Sequence, residues 1–96
     1  MKEQLKQWCT DLVKKTAVGL DEEYIQDAIE EVYMRFLHRI FTTVAATLDE
    51  KSLKKLENVF ENKDEEDILN EMNKYTDILS LSKKVFEEVK EIYLKA

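Results

Sequence analysis

A single glycine and no proline punctuate this chain of 96 residues. That scarcity constrains the fold more than any motif does. Tight hairpins draw on Gly, Asn-Gly and Asp-Gly for positive φ, and strands take their boundaries from Gly and Pro clusters. A chain without them is left with helices joined by capped turns. Charged residues at 38% and apolar residues at 44% suit amphipathic helices and exclude collagen-like, disulfide-dense and transmembrane classes. The length predicts one domain over residues 1–96. Its core is so small that every apolar face must be used.

Helical spacing of the apolar residues divides the chain into five segments. Leu5, Trp8, Cys9, Leu12 and Val13 predict a helix over about 3–17, extended by Thr16 and Ala17. Gly19 stands where a left-handed cap belongs, with Leu20 as its hydrophobic partner. Asp21 is the expected N-cap of the longest helix, about 22–46, with Glu22 and Glu23 in its first turn. Ile25, Ala28, Ile29, Val32, Tyr33, Phe36, Leu37, Ile40, Phe41, Val44 and Ala45 cover more than half of its circumference. Such a wide arc predicts a central helix with neighbours on more than one side. Its solvent stripe is Asp27, Glu31, Arg35, His38 and Thr42.

Thr47 and Glu50 have the spacing of a capping box, opening a helix over about 49–61. That helix is expected to bury Leu53, Leu56 and Phe60, with Val59 at the edge and Asn62 as C-cap. Asp64 is expected to cap a short fourth helix bearing Ile68, Leu69, Met72 and Tyr75. Thr76 is the expected cap of a fifth over about 77–95, with a continuous helix from 65 to 95 as the alternative. Ile78, Leu79, Leu81, Val85, Phe86, Val89, Ile92 and Tyr93 form its apolar stripe. The fold class expected is all-α: a compact bundle of four to five helices around the central one.

Charge narrows the function. The net charge of −6 lacks the basic footprint of direct nucleic-acid binding, and no segment is basic enough for a nucleic-acid arm. No apolar run reaches the roughly 18 residues of a membrane span. The N-terminus, interrupted by Lys2, Glu3, Lys6 and Asp11, does not read as a signal peptide. Cys9 is the sole cysteine, so no internal disulfide or multi-cysteine metal site can form. The expectation is a soluble, cytoplasmic protein without membrane contact.

Few residues carry chemistry. His38 is the sole histidine, and Arg35 rather than Glu stands three residues before it. The Glu-x-x-His motif of di-iron bundles is therefore absent, and no second His completes a zinc site. A surface role on the polar stripe explains His38 more simply. Glu61 to Asp67 is acid-rich but lacks the Gly and the alternating acids of a calcium loop. Cys9 lies on an apolar stripe, where a thiol is inert. Ser80 and Ser82 show no triad, and one Gly cannot build a phosphate loop. The chain reads as a non-enzyme, with no catalytic residue, metal or cofactor.

Two features favour binding. Arg35 and Arg39 flank His38 as a cationic island in an acidic protein. Glu31 can pair with Arg35 at i,i+4, but Arg39 has no helical acid at that spacing. Tyr24 and Met34 fall off the main apolar stripe toward solvent, and Trp8 can dock on its own chain or on a partner. Arg, Met and aromatic residues together are the composition of an interface core.

From Leu20 onward there is also a resemblance. It is carried by Leu48-Asp49-Glu50-Lys51-Ser52-Leu53 with Leu56, Val59 and Phe60, then Asp64-Glu65-Glu66-Asp67 leading to Met72-Asn73-Lys74-Tyr75 and an amphipathic last helix. The layout resembles a family of small acidic helical domains of unknown function, mainly from candidate-phyla bacteria. Where that family has an Asn-x-Pro-like turn, this chain has Asn73-Lys74-Tyr75 without Pro. The resemblance implies an all-helical fold and no activity.

The leading expectation is a small interaction module: an adaptor, inhibitor or accessory subunit that binds another protein through a helical face. The contact is expected at Tyr24, Met34, Arg35, His38 and Arg39, or at Trp8. A second reading is an acidic nucleic-acid mimic, which requires segments 21–31 and 61–67 on one face. A third is a structural homo-oligomer in which a second copy covers part of the central helix.

Overall fold

The computed structural model describes residues 1–62 and 64–95, and Asn62 by its backbone. The described residues form five helices and no strand: α1 Lys2–Thr16, α2 Glu22–Ala45, α3 Glu50–Asn62, α4 Glu65–Met72 and α5 Ile78–Lys95. The expected all-α bundle is observed, with α4 and α5 as separate helices. It measures 48 × 24 × 19 Å. At 1.5 Å per residue α2 alone spans about 36 Å and sets the long axis.

The turns show which side chains end and start the helices. Gly19 has φ +84°, and Leu20 N–H donates to Ala17 O at 3.4 Å across a turn that needs a positive φ at this position. Leu20 itself does not fold back as a hydrophobic cap. It points outward, half exposed. Asp21 occupies the N-cap of α2 with extended backbone, though its carboxylate caps no N–H. The expected Thr47–Glu50 capping box does not form. Thr47 Oγ1 instead donates back to Val44 O at 2.8 Å, and Asp49 Oδ1 caps α3 by accepting Ser52 N–H at 2.8 Å. A carboxylate one residue before the helix reaches the third N–H more readily than a hydroxyl still hydrogen-bonded to the preceding helix.

Asp64 caps α4 as expected, accepting Asp67 N–H at 3.0 Å. The N-cap of α5 is Asp77 rather than Thr76, with Oδ2 accepting Ser80 Oγ–H at 2.9 Å and Oδ1 accepting Ser80 N–H at 3.4 Å. Asn73 Oδ1 accepts Ile78 N–H at 3.1 Å, which holds the α4–α5 corner. The backbone of Asn62 continues α3, and the cap expected of its side chain lies outside the described residues.

Apolar stripes then dictate the packing. Leu5, Cys9, Leu12 and Val13 of α1 meet Ile29, Val32, Tyr33, Phe36, Leu37, Ile40 and Val44 of α2 in one buried cluster. Leu56, Ile68, Leu69, Met72, Ile78, Val85 and Val89 bring the other three helices into it. Each fully buried large side chain contributes roughly 1.5–3 kcal/mol. At the centre, Trp8, Phe36 and Phe86 join α1, α2 and α5 through ring centroids 5.4–6.3 Å apart. α1 and α5 both flank α2, whereas α3 packs chiefly on α4, and α4 reaches α1. Consequently α3 buries only Leu56 fully, Leu53 and Val59 partly, and leaves Phe60 41% exposed against Phe41.

Electrostatics hold α4 to α1. Met1 offers α1 no side-chain cap, and Glu66 substitutes for it from α4 by accepting Lys2 N–H at 2.9 Å. That bond, with the Met1 amino group at 3.3 Å, lowers the Glu66 carboxyl below the usual range. Lys2 pairs with Glu65 at 3.3 Å and Lys6 with Glu30 at 2.6 Å. No helix among the described residues is long and apolar enough to cross a membrane.

Candidate functional site

The solvent stripe of α2 lies where its sequence placed it: Asp27, Glu31, Arg35, His38 and Thr42 are all exposed. α5 runs beside this stripe, and between them lies a groove of about 1170 Å³. It extends along α2 from Tyr24 to Thr43, roughly 28 Å at the helical rise. Ala28, Val32, Val89 and Ile92 give it apolar lining along its length, and Thr16, Ala17 and Leu20 line it where α1 ends. Four large apolar side chains stand exposed within it: Leu20 at 49%, Tyr24 at 62%, Ile92 at 54% and Leu94 at 55%. Exposed apolar residues scattered singly are ordinary, but four in one groove form a patch.

The charges of the groove are arranged in pairs. Arg35 Nη2 donates to Glu31 Oε1 at 2.8 Å along α2. Arg39, which lacks a helical partner, donates from Nε to Glu88 Oε2 on α5 at 2.9 Å. Thr42 and Thr43 donate to the carbonyls of His38 and Arg39, at 2.6 and 2.8 Å. Thr16 and Tyr93 hydroxyls share a hydrogen bond of 3.0 Å. These ion pairs are about half exposed or more, so each is worth little to stability and can be re-partnered at small cost.

Tyr24, Arg35, His38 and Arg39 are thus brought together along one groove. Met34 is 51% exposed but projects on the flank of α2 outside it. Trp8 is engaged on its own chain between Phe36 and Phe86, the self-packing outcome of the two weighed for it. Sequence reasoning missed Leu20, Glu88, Ile92 and Leu94. Ile92 was expected in the core because it continues the stripe of α5. The missing helical partner of Arg39 was the available hint that another helix supplies an acid there.

Elsewhere, reactive groups are muted. Cys9 is fully buried, and burial pushes its thiol up to about 12. Burial, aided by the nearby Glu65 carboxylate, raises the pKa of the Tyr33 phenol, whose hydroxyl has no hydrogen-bond partner among the described residues. No group of three or more His, Cys, Asp or Glu among the described residues is placed to hold a metal ion. The acidic segments approach each other at α1, where the Lys6 ammonium bonds Glu30 and feels Glu65, both raising its pKa. Their acids there are paired with Lys2 and Lys6.

No family model, curated protein or solved structure matches this chain. The family resemblance therefore rests on the residues quoted for it.

Proposed function

We propose that this chain is a small protein-interaction module, without catalysis of its own, that receives a helical face of another protein in the α2–α5 groove. An adaptor, an inhibitor and an accessory subunit all share this mode of action. The observation that carries the reading is the exposed apolar patch of Leu20, Tyr24, Ile92 and Leu94 on a groove as long as a helix. Helix-in-groove recognition needs such an apolar bed with polar edges, and Arg35, His38 and Arg39 supply the edge on α2. A cytoplasmic setting belongs to the proposal, supported by the lone, buried Cys9. The nucleic-acid-mimic reading has weaker support, because Glu30, Glu65 and Glu66 turn toward α1 and are paired there.

A photo-crosslinking residue placed at exposed His38 tests the proposal in the cells that make the protein. A discrete protein adduct is expected from position 38 and none from Lys54, exposed on α3. Position 38 without an adduct, or adducts equal at both positions, would remove the groove as the binding site.

A further inference from the structure

We infer that the occupant of the groove is a second copy of this chain, docked antiparallel so that two α2 helices face each other across a two-fold axis. The inference rests on the groove being a protein-binding site and puts a second copy of the chain where a foreign helix would lie.

The argument begins with the order of charge along α2. Along its solvent-facing side the acids come first, Asp27 and Glu31, and the cations follow, Arg35 and Arg39, on either side of His38. A helix so ordered is complementary to itself only when reversed. A two-fold interface is isologous: if residue i meets residue j, then j meets i. Centring the axis on residue 33 sets Glu31 opposite Arg35 of the second copy and Asp27 opposite Arg39. The same register sets Ala28 opposite His38, a small residue against a ring, and Tyr24 opposite Thr42. One register thus satisfies charge and size together.

Net charge points to the same face. Two chains of −6 repel each other over most approaches. Along α2 two acids of each copy meet two arginines of the other, so this face is closer to neutral than the rest of the chain even with Glu88 beside it. Within one chain Arg35 and Arg39 are paired with Glu31 and Glu88. Those exposed pairs can exchange partners across the axis at little cost. Leu20, Tyr24, Ile92 and Leu94 supply the apolar area. Placing α2 and α5 of one copy on α2 and α5 of another completes a four-helix layer arrangement.

The test uses the full chain and light scattering behind size exclusion over a hundredfold dilution. The native protein is expected at twice its 11.4 kDa chain mass at the high end. Arg35→Glu with Arg39→Glu is expected to weaken self-association at least tenfold, and so is Asp27→Arg with Glu31→Arg. An equimolar mixture of the two variants is expected to restore the doubled mass, because each then carries what the other lacks. Circular dichroism confirms that both variants remain helical; should either unfold, Tyr24→Asp at its exposed position replaces it and is expected to give the single-chain mass. A native monomer at every concentration overturns the inference, as does a dimer untouched by the charge reversals or a mixture of folded variants that stays monomeric. A position-38 adduct with a different protein would keep the groove as a binding site while discarding the second copy.

Discussion

Ser82 sits fully buried on α5, its hydroxyl without a hydrogen-bond partner among the described residues. A buried unpaired polar group costs roughly 1–3 kcal/mol, and removing one hydroxyl oxygen leaves only a small gap. Ser82→Ala is therefore expected to unfold in urea at an equal or higher midpoint, gaining up to about 1 kcal/mol. A lower midpoint would show that the hydroxyl has a partner. Its spacing from Ile78, Val85 and Val89 places Ser82 on the buried face of α5, a position its polar side chain kept out of the expected apolar stripe. Cys9 is the opposite case. Its place between Leu5 and Val13 was sufficient to predict a buried thiol, which the structure shows.

Among the elements, helix existence was legible and helix boundaries were less so. Period gave the first three segments and the apolar spacing of 65–95, whereas the division into a fourth and fifth helix rested on Thr76 and stood beside a continuous helix from 65 to 95 as the alternative. The caps went wrong where two candidates stood close together: Thr47 against Asp49, and Thr76 against Asp77. In both places the carboxylate nearer the helix took the N–H groups, a local competition that residue spacing cannot rank. Asp49→Ala is expected to lower the melting temperature by more than Thr47→Ala, because only Asp49 satisfies an orphan N–H of α3. Equal losses would argue that Thr47 contributes as much to the start of α3.

For the whole molecule, several carboxylates couple stability to pH. Asp49 and Asp77 are held below their ordinary values by bonds from Ser52 and Ser80, and Glu66 by the Lys2 N–H. A depressed folded value means that the unfolded chain binds protons first as pH falls. Their contribution is present above the unfolded values of 3.8 and 4.5, and is lost as pH drops through the lower folded ones. The urea midpoint is expected to be flat from pH 7 to about pH 5 and to fall progressively below it. Glu66→Gln should shrink that acid loss, since Glu66 ties α4 to α1. A midpoint unchanged at pH 3 would mean that these bonds do not distinguish the folded from the unfolded state.

The sequence by itself determined the helical class, the first three helices, the buried stripe of α2 and the solvent stripe opposite it, while the break between α4 and α5 was settled by the structure. These follow from period and composition, which are properties of neighbours along the chain. Only the tertiary structure decided which helix stands beside which. It placed α5 next to the polar stripe of α2, gave Arg39 its partner in Glu88, and drew α3 onto α4 so that Phe60 stayed half out. It also turned Ile92 from an expected core residue into part of an exposed patch. The reason is physical. A stripe specifies that a face must be covered, but what covers it depends on helix lengths, turns and the competition among all faces at once. The groove is what that competition left uncovered.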